Sequence, residues 1–251
     1  MKQRWWKRGV ATAVLGAALT IQMLGCSSAP EPVEQEEVPA TEEAALESEV
    51  LPVEDSPILG DPQAPVTVMA FSSMTCPFCG QADLVLKDLM EHYDGEIRVV
   101  FKHFPLNPQA ESASLVLEAT RLQDEEAFWE MKTALFARIH EFGTRPIEDI
   151  GVELAEEMGL DGEQLRRDVG DPELNQLVAR DFQMGRQMGV TGTPQFFVNG
   201  EVVAGAQPVE NFAAIVDEQL ELVDELLESG VSEEEVYDAA VRHNRGIDSS
   251  Y

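Results

Sequence analysis

Three cysteines in 251 residues are too few for a disulfide-stapled scaffold. The four histidines, His92, His103, His140 and His243, are scattered, and none forms a ligand pair. A closed zinc site needs a second Cys or His pair at ligand spacing, so none is expected, nor is any other metal or cofactor. Basic residues are scarce too: 17 Lys and Arg stand against 47 Asp and Glu, a formal net charge of -30. Such a chain repels phosphate backbones, which argues against nucleic acid as a partner. The acidic residues are spread along the chain and read as a solvated surface.

Against this background two of the cysteines stand out, in Cys76-Pro77-Phe78-Cys79. Upstream lies the apolar, β-branched run Val66 to Phe71, a strand. Downstream, Ala82, Val85, Leu86, Leu89 and Met90 recur at helical spacing. Cys76 therefore falls near the N-cap, Pro77 near the first helical position, and Cys79 within the first turn. Unpaired backbone N–H groups and the positive end of the helix dipole favour negative charge at Cys76 and make it a nucleophile. Cys79, three residues on, is placed to attack a mixed disulfide formed there. A structural disulfide is the competing reading; half of a zinc site lacks its other half.

Far downstream, Pro194 directly precedes a short apolar strand, Gln195 to Val198, which Asn199-Gly200 turns into a second strand, Glu201-Val202-Val203. A proline inside a sheet lacks its ladder donor and belongs at an edge, a strand start or a special turn. A cis Thr193–Pro194 bond is expected here, with the Thr193 backbone left free for an extended substrate beside Cys76; an ordinary trans turn proline is the alternative.

Taken together, Phe71 to Cys79, Lys102-His103-Phe104-Pro105-Leu106 and Gly192 to Gly200 resemble the DsbA-like branch of the thioredoxin superfamily. The resemblance covers roughly residues 57 to 228. It implies an α/β, thioredoxin-like fold with a mixed central sheet and a helical insertion, about residues 107–189. It also implies a thiol–disulfide oxidoreductase with Cys76 and Cys79 as catalytic pair and Thr193, Pro194 and Phe78 at the substrate. Protein thiols or disulfides would be its partners, together with a membrane redox partner that recycles the pair. One departure is visible: many thioredoxin-like enzymes carry a buried acid on the strand before the motif, and Val66 to Thr75 has none. Proton transfer to Cys79 must then use water or another group. Phe78 offers the thiolate neither charge nor a strong hydrogen bond, so the couple should be less oxidising than in the strongest oxidases of the family. An oxidase is the first reading. A reductase or isomerase with the same site, or a non-catalytic binding module, are the others.

The remaining segments place this domain. Lys2, Arg4, Lys7 and Arg8 followed by the apolar stretch Val10 to Leu24 read as an export signal, residues 1–25. Met23-Leu24-Gly25-Cys26 resembles a lipobox, so lipidation at Cys26 is expected, with a plain transmembrane anchor as the competitor. Residues 26–56, rich in Glu and Pro and without Lys or Arg, read as a self-repelling tether. The protein would then be lipid-anchored in the cell envelope, facing the periplasm or extracytoplasmic space. The domain itself spans 57–228, and 229–251 form a helical tail in which Ser232-Glu233-Glu234-Glu235 reads as a capping box.

Overall fold

Val66–Ser72 forms a strand that is buried at every position, as a run of β-branched and apolar residues must be when helices cover both faces of its sheet. The computed structural model describes residues 51–247. The expected export signal, Cys26 and the tether before Leu51 lie outside the described residues, as do positions 248–251.

Among the described residues the chain builds five strands and eight α-helices: β1 (Ile58–Gly60), β2 (Val66–Ser72), α1 (Pro77–His92), β3 (Ile97–His103), α2 (Pro108–Arg121), α3 (Glu125–Ala137), α4 (Ile147–Glu157), α5 (Gly162–Asp168), α6 (Pro172–Gln187), β4 (Gln195–Val198), β5 (Glu201–Ala204), α7 (Val209–Ser229) and α8 (Val236–Asn244). The sheet order is β1-β3-β2-β4-β5. β2 and β3 are parallel, with Ser72 opposite His103, and joined through α1; β4 runs antiparallel to β2, with Phe71 opposite Gln195. The mixed sheet and the insertion between β3 and β4 match the fold read from the sequence. β1 was not anticipated: its three residues, Ile58–Gly60, are too few to show a period, and they add an antiparallel edge beside β3.

The pleat of β2 divides the core. Val66, Val68 and Ala70 face α1 and α7, packing with Leu86, Leu89, Phe196 and Phe212. Met69 and Phe71 face the other way, onto Phe104, Val190, Phe197 and Val241. The insertion encloses its own core around Phe128, Met131, Leu135, Ile150 and Leu154, and Phe101 and Met74 join that core to the sheet and the loop before α1. Close approach of α6 depends on Gly185, where a Cβ would stand 2.7 Å from Phe104 and 2.9 Å from Phe71.

β3 buries three cationic or ionisable side chains, and each has partners, as burial demands. Arg98 donates to Thr67 Oγ1 at 2.8 Å and also to the Pro62 carbonyl. Lys102 pairs with Asp181 of α6 at 3.3 Å. His103 Nε2 lies 2.8 Å from Glu118 Oε1, and Arg121 Nε donates to the other oxygen at 2.7 Å. Burial works against charge on Glu118, but His103 and Arg121 outweigh it and hold the carboxyl below its ordinary range.

The start of the domain differs from expectation, and so does the point where the tail helix begins. Residues 51–56, placed in the tether, include the buried Leu51 and Ser56, because Leu51 finds an apolar seat beside Val100 and Phe197. The tail docks: Val236, Ala239, Ala240 and Val241 are buried. Its helix begins at Val236 rather than just after Ser232, because the Ser232 hydroxyl donates to Glu235 Oε2 at 2.8 Å instead of the pair exchanging bonds with backbone N–H groups. Asn244 Nδ2 then reaches the carbonyl of Asn199 at 2.9 Å and Gln219 Oε1 at 2.7 Å.

Candidate active site

β2 ends at Ser72 and, after a short loop, Cys76 caps α1 with extended backbone angles while Pro77 takes the first helical position. The Cys79 N–H donates to the Cys76 carbonyl at 3.0 Å, closing the first turn. Cys76 offers no side-chain cap; its Sγ instead donates to the carbonyl oxygen of Thr193 at 3.3 Å. The Thr193–Pro194 bond is cis. The strand pairing of β2 with β4 brings this turn to Cys76, since the end of one strand lies against the start of the other.

The two cysteines, free thiols in this structure, differ sharply in surroundings. Cys76 is partly exposed, whereas Cys79 is 3% exposed and belongs to the buried face of α1 with Ala82, Asp83, Leu86 and Leu89. Burial pushes the Cys79 thiol up from 9.0 to about 11, against the opposing pull of the Ser72 hydroxyl, the Ser73 backbone and the Thr193 hydroxyl. Thr193 Oγ1 is itself buried and makes no hydrogen bond.

Around the pair the surface is apolar. Phe78 is 60% exposed beside Cys76, and Pro77 is exposed with it. Leu106, 52% exposed, follows β3 in a loop held to the motif by Asn107 Nδ2, which donates to Thr75 Oγ1 at 2.9 Å. Phe136 of α3 covers Gly80, where a Cβ would meet its ring at 3.4 Å, so the insertion bears directly on the first turns of α1.

The structure thus brings Cys76, Cys79, Thr193, Pro194 and Phe78 to one rim of the sheet. Cys26 lies outside the described residues. His103 is a buried strand residue paired with Glu118, and the described residues contain no cluster of three or more Cys, His, Asp or Glu that could hold a metal. Asp83 and Lys132, buried at the inner side of Cys79, were not singled out from the sequence. Asp83 shares the Cys79 face four residues on, a legible spacing, whereas Lys132 sits beside an apolar stripe and reads there as a solvated flank.

A family profile described as thioredoxin matches residues 53–218. A Na(+)/H(+) antiporter NhaA 1 of Salinispora arenicola is 35% identical over 162 residues, covering 63% of this chain but 24% of the antiporter. The chain therefore spans about a quarter of the length of such relatives, and no helix among the described residues is long and apolar enough to cross a membrane. A probable disulfide bond formation protein D of Bacillus cereus is 28% identical over 151 residues, 57% of this chain and 70% of that protein. Among solved structures, a thioredoxin-like oxidoreductase of Silicibacter pomeroyi superposes with a TM-score of 0.58 at 28% identity, over 66% of this chain and 92% of its own. The α-DsbA1 of Wolbachia pipientis shares the fold, with a TM-score of 0.59 at 20% identity over 77% of this chain and 96% of its own.

Proposed function

The chain belongs to the thioredoxin family, and we propose that it is a DsbA-like member in which Cys76 and Cys79 form a redox pair that exchanges disulfides with protein substrates. The observation that carries this reading is the contrast within the pair. Cys76 is accessible, sits at a helix start and faces the Thr193 carbonyl at 3.3 Å; Cys79 is sealed behind it. In the oxidising direction a substrate thiolate attacks Cys76, the Cys76–Cys79 bond breaks, and Cys79 departs as thiolate. A second substrate thiol then attacks the mixed disulfide, and Cys76 leaves with the electron pair. Phe78, Leu106 and the Thr193–Pro194 turn surround the place where an extended, partly apolar polypeptide would lie.

The setting we assign is extracytoplasmic. Residues 1–25 would direct export, Cys26 would carry the lipid, and a membrane redox partner would return the pair to its working state. We assign the oxidising direction to the enzyme in its cell. Acid quenching and alkylation of whole cells tests it: Cys76 should be recovered mainly in a disulfide, and recovery as free thiol would make the protein a reductase. Cys79→Ser should accumulate mixed disulfides through Cys76 on a non-reducing gel. Full biological activity of Cys76→Ser would instead leave a binding module.

A further inference from the structure

Asn107 uses both ends of its side-chain amide. Its Oδ1 accepts from the Ala110 N–H at 2.9 Å and so caps α2, which leaves Nδ2 to donate, at 2.9 Å, to Thr75 Oγ1. Capping alone does not call for asparagine, since serine and aspartate serve as well. Neither can perform the second task besides: serine has a single polar atom, which cannot stand at both places, and an ionised aspartate has no donor. Thr75 directly precedes Cys76, and its hydroxyl lies 3.3 Å from that of the buried Ser73, whose carbonyl accepts the Cys76 N–H at 3.0 Å. A line of polar contacts therefore runs from the first turn of the insertion to the backbone of the nucleophile.

The segment this line holds is the one that carries Leu106. The Phe104 N–H donates to the Ser72 carbonyl at 2.8 Å, continuing the ladder one step past the strand. Pro105 and Pro108 then have no N–H to give, so a side chain does the fastening. Because β3 and β4 flank β2, the Leu106 loop and the Thr193–Pro194 turn stand on opposite sides of the chain that leads to Cys76. Charge is missing from this frame. Residues 72–81, 104–110 and 189–200 include no Asp, Glu, Lys or Arg, in a chain with 47 acidic and 17 basic residues. What the frame offers instead is exposed apolar surface, Phe78 at 60% and Leu106 at 52%.

We propose that Asn107, acting through Thr75, is a positioning residue that sets Leu106 beside Cys76 and so selects substrates with an uncharged, apolar residue next to the reacting cysteine. The proposal rests on the redox reading above and adds to it a preference among polypeptides. With the loop fixed beforehand, a substrate does not have to order it on binding. Released from Thr75, the loop moves independently of the motif, and an apolar neighbour of the substrate cysteine gains less from Leu106. The bond changes at sulfur are those already given: the substrate thiolate bonds to Cys76, and Cys79 leaves with the electron pair.

The test uses the full-length protein, oxidised with diamide, and two single-cysteine peptides that differ only in having leucine or serine on both sides of the cysteine. Acid-quenched samples, alkylated and weighed by mass spectrometry, give the rate at which each peptide opens the disulfide. Wild type should favour the leucine peptide. In Asn107→Ser, which keeps the cap, and in Thr75→Val, which keeps the shape, that preference should shrink by about 3- to 10-fold. The double variant should shrink it no further, because both changes remove one and the same bond. Thr75→Ser, which keeps the acceptor, should retain most of it. A wild type indifferent to the two peptides, single variants with the wild-type preference, losses that add in the double variant, or equal slowing of both peptides would each overturn the proposal. Should Asn107→Ser fail to fold, Thr75→Val and Thr75→Ser decide by the same ratio. A pair that diamide cannot close, or that neither peptide opens, would instead refute the redox reading.

Discussion

Tyr237 of α8 donates its hydroxyl proton to the carbonyl of Leu51 at 2.9 Å, so the last helix fastens the first described residue. Arg98 covers the same ring, 5.3 Å from its centroid, and Leu51 is 1% exposed. A chain begun at residue 57 should therefore be less stable than one begun at residue 50, by roughly 1.5–3 kcal/mol for the lost burial of one leucine. Urea unfolding of the two chains measures it, and equal midpoints would show that the segment contributes nothing.

Alkylation should separate the cysteines. In the reduced protein, iodoacetamide at pH 7 should modify Cys76 and leave Cys79 largely untouched, because the latter is buried and its thiol pushed up to about 11. Mass spectrometry of peptides quenched at intervals reads both rates, and matching rates would contradict the assigned order of attack.

Stability of the reduced protein should fall at alkaline pH. The folded thiol of Cys79 keeps its proton to about 11, whereas in the unfolded chain it ionises near 9.0, so the native state binds more protons between those values. Stability is then complete below pH 9 and declines as pH rises toward 11, by on the order of 2–3 kcal/mol in all. Tyr93, pushed up to about 12, acts in the same sense, so the comparison is with Cys79→Ala. That variant should show a shallower decline from pH 8.5 to 11, and parallel curves would refute the cause.

Gly185→Ala should destabilise the domain. The added methyl would meet Phe104 at 2.7 Å and Phe71 at 2.9 Å, and both rings are fully buried in edge-on contact with each other. Overpacking of this kind costs about 1–3 kcal/mol. Thermal melting measures it; a melt unchanged from wild type would mean that α6 shifts outward at no cost.

The legible parts of the site were those whose residue types are themselves unusual. Cys76, Cys79 and Pro194 are rare in strands and helix starts, and their flanks carry clear periods. Asn199-Gly200 announced a hairpin, and both residues have positive φ, 44° and 91°. What the sequence could not show is that Asn199 also reaches across the sheet, its Oδ1 accepting from the Thr67 N–H at 2.8 Å. Such bonds depend on strand order. Lys132 was illegible for a related reason: a lysine next to Met131 on an amphipathic helix looks solvated until α1 is laid against it. Likewise, Leu51 reads as part of an acidic segment until its seat on the sheet is known.

The insertion leaves the sheet just after His103 and returns just before Gln195, and both points lie on the rim where β2 ends. Five helices are thus hung from two pegs that flank β2, with neither strand register nor sheet twist depending on how much chain lies between. Lengthening or trimming α4 and α5 would reshape the outer face of the insertion while α3 held Phe136 and Lys132 against α1. The architecture separates two rates of change: a helical periphery free to diversify, and a rim where a single shift of β4 against β2 would carry Thr193 away from Cys76.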